Sequence, residues 1–213
     1  MMRYIIITLV LLFGAGCANV DKPYPERSYY QFEASYSGQK ATPIKGTILG
    51  IKRLSVSPGS QGLEFIYRTG EFKYQSDFYN QFFRPPGALI TEEVNRWFAN
   101  AGVFEDVLGQ LSQAFPNYVI EGNVVNLYGD FRNSVAPAAV MEIQFFLLKL
   151  TDDADTPIVI TSDTYSVSKP ISSQDPKALM LGWNRAFEEI LGDFLSDVKS
   201  DMQGQAPNYS DSN

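Results

Sequence analysis

Three strand-length segments follow one another in the second half of this chain, 118–127, 140–150 and 158–167, with no helix-length segment between them. Parallel neighbours in a sheet need a crossover of a dozen or more residues, so strands this close in sequence pair antiparallel. The run Asp152-Asp153-Ala154-Asp155-Thr156-Pro157 turns the chain between the last two. It lacks the glycine and the closing glutamate of a calcium loop and reads as a solvated turn. The spacing predicts further strands over 29–36, 47–56 and a hairpin of 63–68 with 72–75 around Thr69-Gly70-Glu71.

Two segments carry helical spacing instead. Leu89, Ile90, Val94, Trp97, Phe98 and Ala101 share one face of a helix over 88–101, entered through Pro85-Pro86-Gly87 and closed by Gly102. Met180, Trp183, Phe187, Ile190, Leu191, Phe194, Leu195 and Val198 recur at spacings of three and four in a closing helix. Asp175 stands at its cap and Pro176 in its first turn. The order strands, helix, strands, helix predicts an α+β fold: an antiparallel sheet with two main helices packed on one face.

The start of the chain is of another kind. Met1-Met2-Arg3 precedes an apolar run over 4–13, then Gly14-Ala15-Gly16 and Cys17. A short basic start, an apolar stretch and small residues form a secretory signal. The stretch over 4–16 has thirteen residues, short of the ~20 a membrane-spanning helix needs. Gly14-Ala15-Gly16-Cys17 resembles a bacterial lipobox, although glycine stands where leucine is usual. That resemblance implies a signal peptide over 1–16 and covalent acyl chains on Cys17, with no other cofactor. More than one chain makes such an anchor stable. Ala18 in place of aspartate favours the outer membrane, on its periplasmic face. Residues 17–28 read as the lipidated cysteine and a linker, residues 29–202 as one domain and residues 203–213 as a disordered tail.

Composition removes several functions. The 213 residues include no histidine and one cysteine, which excludes Ser-His-Asp and Cys-His catalysis, His-ligated metals and an intrachain disulfide. A net charge of −7 without a basic block excludes ordinary nucleic-acid binding. Glu188 and Glu189 are adjacent on a helix instead of converging across a cleft. The expectation is a protein that is not an enzyme.

What remains is aromatic. Phe65, Tyr67, Phe72, Tyr74, Phe78, Tyr79, Phe82 and Phe83 fall within nineteen residues, more than one sheet face can bury. Either they are core and hairpin packing, or a subset marks an interface. Joint exposure of two or more of Tyr74, Phe78, Tyr79, Phe82 and Phe83 separates the two. Arg68, Asp77 and Arg84 lie in the same stretch and either pair with one another or meet a partner. The candidate partner-binding set is Tyr67, Arg68, Tyr74, Asp77, Phe78, Tyr79, Phe82 and Phe83.

The stretch with Tyr67-Arg68, Asp77-Phe78-Tyr79, Phe82, Pro85-Pro86, Leu89, Arg96-Trp97-Phe98 and Val103-Phe104 resembles the auxiliary lipoproteins of ABC-type transporters, found alongside MCE-domain lipid-transport systems. Tyr29-Tyr30 and Phe32 after lipobox and linker, and the closing helix, fit the same layout, while 127–138 departs from it as an unlike loop. The resemblance implies a fold like the amino-terminal domain of TolB. It also implies an accessory role in passing phospholipid or another apolar solute between envelope membranes. The partners implied are the membrane through the lipid anchor, an MCE-domain protein and the ABC permease and ATPase, with a homo-oligomer left open. The alternatives are an envelope scaffold that binds peptidoglycan or a cell-wall synthase, and a lipid carrier with its own pocket between sheet and helices.

Overall fold

The computed structural model describes residues 26–151 and 156–204. The signal segment, Cys17, most of the linker, the Asp152–Asp155 part of the turn and residues 205–213 lie outside the described residues. Nine strands form one sheet: β1 (Ser28–Tyr30), β2 (Ile44–Ile51), β3 (Ser55–Val56), β4 (Glu64–Arg68), β5 (Tyr74–Phe82), β6 (Phe104–Val107), β7 (Tyr118–Asp130), β8 (Ala138–Lys149) and β9 (Ile158–Pro170). Among the described residues two α-helices accompany them, α1 (Pro86–Ala101) and α2 (Pro176–Gly204). The fold is α+β, with both helices on one face of the sheet.

The meander β7–β8–β9 is antiparallel throughout, from Tyr118 against Lys149 to Ala138 against Pro170. The rest of the sheet is mixed, which corrects the expectation of a wholly antiparallel one. The free edge of β7 is shared in parallel by three strands: β2 at Tyr118–Ile120, β3 at Asn123–Val124 and β4 at Gly129–Asp130. β6 runs parallel to β2, and β1 parallel to β5. The connection through α1 supplies the long crossover that parallel pairing needs. Adjacency in sequence governed the meander and the antiparallel β4–β5 hairpin, and not the rest of the sheet.

Side chains alternate along β8 as the pleat requires. Ala139, Met141, Ile143, Phe145 and Leu147 are buried, while Val140, Glu142, Gln144, Phe146 and Leu148 stay half-exposed on the other face. The helices cover the first face. Phe194 of α2 stacks on Phe145 at 4.5 Å, and Phe98 of α1 meets Phe194 at 5.6 Å. All eight apolar positions named for the closing helix are buried, contributing about 12–24 kcal/mol as an upper limit. Gly182 of α2 faces Ala139, where an added Cβ would come within 2.6 Å of the alanine Cβ, so only glycine permits this approach. Gly102 ends α1 in the left-handed region at φ 65° and donates its N–H to Phe98 O at 3.1 Å. Asp175 caps α2 through Ala178 N at 2.9 Å.

The first strand stops at Tyr30, short of the 29–36 predicted. Residues 31–36 form a strap across both helices instead. Phe32 and Ala34 plug into the core. The backbone N–H groups between and beside them go to helix side chains: Glu33 N to Asn184 Oδ1 at 3.2 Å, Ala34 N to Glu93 Oε2 at 3.2 Å and Ser35 N to Glu188 Oε1 at 3.0 Å. Burial raises the carboxyl pKa of Glu93, against the lowering effect of Arg96 at 3.1 Å. Glu93→Ala strands the buried Ala34 N–H and should lower stability by about 1–3 kcal/mol in urea unfolding, whereas Glu93→Gln retains an acceptor and should lose less. Equal losses would show that the strap does not depend on this bond.

Other boundaries move too: the strand predicted over 47–56 divides into β2 and β3, and the second hairpin strand, predicted over 72–75, runs Tyr74–Phe82. β7 runs on to Asp130, into the segment read as a loop from 127, and α2 includes Gln203 and Gly204, read as tail. The short strand β6 carried too few residues for a periodic signal.

Candidate functional site

The β4–β5 hairpin contains a break in register. Glu64 faces Gln81 while the next residue, Phe65, faces Asp77. Phe78, Tyr79 and Asn80 are therefore extra residues on β5 and swing out of the ladder as a bulge. Asp77 holds that bulge. Its Oδ1 accepts from Tyr79 N at 2.9 Å and Asn80 N at 3.1 Å, and its Oδ2 from Tyr67 Oη at 2.6 Å and Asn80 Nδ2 at 2.8 Å. Burial alone would raise the Asp77 carboxyl pKa, but these four donors outweigh it and hold the group below its ordinary value. Burial and the bond to Asp77 together push the Tyr67 phenol upward. The Tyr67 ring stacks on Phe131 at 4.8 Å.

The bulge presents an aromatic shelf. Phe78 is 56% exposed, Tyr79 43% and Phe83 62%, and Tyr29 of the neighbouring β1 is 54% exposed. Phe78 and Tyr79 meet edge to face at 5.3 Å, and Tyr29 meets Phe83 at 6.5 Å. The Arg27 guanidinium lies 4.0 Å over the Phe78 ring. Two exposed aromatic pairs along the β1–β5 edge are thus kept outside the core.

The remaining predicted residues divide. Phe82 points inward, stacking on Phe32 at 5.5 Å and lying 4.7 Å from Phe65. It is 2% exposed, so it is a core residue and leaves the partner-binding set. Tyr67 and Asp77 are a supporting frame beneath the bulge. Arg68, Asp77 and Arg84 do not pair with one another: Arg68 donates to Glu71 O at 2.9 Å and Arg84 to Glu92 at 2.5 Å. Tyr74 is exposed on the open face of the sheet, edge-on to Tyr128 at 5.7 Å. There a groove of about 360 Å³ runs between Ser60, Ile66, Tyr74, Ser76, Asn126 and Tyr128.

Sequence reasoning missed Arg27, Tyr29 and Tyr128 as site residues, because strand pairing across the fold brings them in. It also missed Leu111 and Phe115, which stand almost fully exposed in the loop between β6 and β7. A signal existed, since no charged residue occurs from Val107 to Ile120.

Other features carry less chemistry. A surface cavity of about 810 Å³ lies beside the strap and α2, lined by Tyr36, Trp97, Lys169, Arg185, Glu188 and Glu189. Its charged groups are already engaged: Lys169 with Glu189, Arg185 with Pro170 O and Glu188 with Ser35 N. Among the described residues no cluster of three or more His, Cys, Asp or Glu could hold a metal ion, and no helix is long and apolar enough to cross a membrane.

Asp77→Asn exchanges an acceptor for a donor facing Tyr67 and Asn80. It should lower stability by about 1–2 kcal/mol at neutral pH. The Asp77 pKa is depressed on folding, so its contribution is present above the unfolded carboxylate value of ~3.9 and disappears as pH falls through the lower folded value. Urea midpoints of the two proteins should therefore converge as pH falls below that lower folded value. A gap that persists in acid, where the carboxyl is protonated in the folded and unfolded states alike, would remove the carboxylate from this role.

These elements define a class of structure, an open-faced α+β module with an aromatic shelf at one sheet edge. Protein XCC0632 from Xanthomonas campestris, of the DUF330 family, has a similar fold, with a TM-score of 0.66 and 19% identity over 84% of this chain and 100% of that chain. An uncharacterized protein is similar at a TM-score of 0.62, with 12% identity over 81% of this chain and 99% of that one. Lipoprotein GNA1162 from Neisseria meningitidis reaches 0.38 at 11% identity, covering 75% of this chain and 99% of that chain, too loose a likeness to bear on function. No protein-family model matches the chain, and no curated protein does either.

Proposed function

We propose that this chain is a lipid-anchored envelope protein, not an enzyme, that serves as an accessory component of an ABC-type transporter with an MCE-domain subunit. In this reading it sits on the periplasmic face of the outer membrane and helps to pass phospholipid or another apolar solute between membranes. The acyl chains on Cys17 are its only attached group. The observation that carries the reading is the aromatic stretch of β5, kept exposed by a hydrogen-bonded frame. Folding that holds apolar rings outside the core fits a chain whose work is contact.

Tyr74 and Tyr128 flank the groove on the uncovered face of the sheet, and this groove is the surface assigned to the transporter subunit. A carrier with a pocket of its own has less support, because Trp183, Phe187, Phe194, Phe98 and Phe145 fill the space between sheet and helices.

A photoreactive benzophenone amino acid at position 74 tests the assignment in cells. Capture of an MCE-domain protein is expected. Capture of a cell-wall synthase instead would move the protein to the scaffold class.

A further inference from the structure

We infer that the Phe78–Tyr79 bulge, with Tyr29 and Phe83, rests in the headgroup layer of the same bilayer that holds the acyl chains of Cys17. The inference rests on the acylation reading and adds an orientation to it: the β1–β5 edge faces the lipid.

The first argument is reach. The described fold begins at Glu26, two residues before β1, and β1 lies against the bulged strand with Ser28 beside Asn80 and Tyr29 beside Gln81. Nine peptide units separate Cys17 from Glu26, a span of roughly 32 Å at most. An anchor at Cys17 therefore keeps Glu26, beside this edge of the sheet, within roughly 32 Å of the attachment point and puts the edge within reach of the bilayer.

The second is chemistry. The shelf combines two phenylalanines, which gain from leaving water, with two tyrosines, whose phenol tips stay hydrated at a headgroup boundary. Arg27 lies over Phe78 on a long flexible stem whose charge can stay among phosphates while the stem lies on the ring. Apolar side chains dipping a few ångström into the boundary add to the affinity supplied by the acyl chains.

The third is construction. Asp77 spends both carboxylate oxygens and Tyr67 its hydroxyl on holding three extra residues out of the ladder. A frame of this kind presents the rings instead of hiding them.

The test uses the processed, acylated full chain in vesicles of phosphatidylcholine, with and without bromine on the acyl chains. The native Trp97 and Trp183 are buried and provide a constant background. Phe78→Trp and Phe83→Trp place an indole on the shelf. Phe115→Trp places one on the exposed loop at the opposite end of β7 from the β4–β5 hairpin, as a control. Phe78→Trp and Phe83→Trp should lose much of their added emission in brominated vesicles and shift to the blue, while Phe115→Trp keeps its emission. Vesicle flotation without quenching at positions 78 and 83 overturns the bilayer contact alone and leaves the shelf to a protein partner. Failure to float overturns the acyl anchor and the contact together.

Discussion

Cys17→Ala should abolish membrane attachment. The wild-type chain should carry acyl mass on its first mature residue and partition into the detergent phase, and the variant should show neither. The size of the effect follows from the anchor. Each buried methylene contributes ~0.8 kcal/mol, one chain gives only reversible binding, and a second makes residence stable. The apolar stretch over 4–16 is too short to span a bilayer by itself, and the shelf offers only four side chains at the boundary. Four rings at a headgroup layer do not replace two or three acyl chains. A variant that stays in the detergent phase, or a processed wild-type chain whose thiol is bare, would remove the basis for the proposed location.

Trp183→Ala should cost more stability than either Glu93→Ala or Asp77→Asn. Trp183 is fully buried where the hairpin, the meander and α2 meet. Its ring lies 4.9 Å from Phe65 and 5.6 Å from Phe82, and its indole N–H donates to Val140 O at 3.2 Å. Removal leaves a large void bordered by aromatic rings that cannot easily close it, at a cost of about 3–5 kcal/mol. For a domain of this size that corresponds to a fall of roughly 6–20 °C in Tm. Calorimetry on the variant and the parent reads it directly. A change of a degree or two would mean that the core around α2 collapses into the void, contrary to the packing described.

Trp183 belongs to the part of the fold that local pattern reveals. It stands in a run of apolar residues at spacings of three and four, and every member of that run is buried. The helix 88–101 and the meander of β7, β8 and β9 were equally open to reading. In each, the decisive contacts are repeated within one element or between consecutive ones, so the period of the sequence is the period of the structure. The first strand of the hairpin was legible for the same reason, while β5 runs well past the 72–75 expected of it.

The shelf was legible only in part. Counting aromatics showed that some must lie outside, yet it could not say which. Phe78 and Phe82 are the same residue type on one strand, four positions apart, and a strict two-residue period would send them to the same face. The three extra residues of the bulge break that period, and the bulge exists because Asp77 finds Tyr67, ten residues away on the neighbouring strand. Tyr29 joins the shelf through parallel pairing across some fifty residues of chain, for which no local pattern exists.

The local patterns of this chain therefore settled both main helices, the antiparallel meander, its fold class, the absence of histidine and of a cysteine pair, and the presence of an aromatic-rich stretch. Each of these follows from short-range periodicity or residue type. Tertiary structure alone decided the mixed pairing of the sheet, the strap over the helices and which aromatic rings face outward. These depend on backbone and side-chain groups distant in sequence satisfying one another, and that choice is made only when the whole core closes.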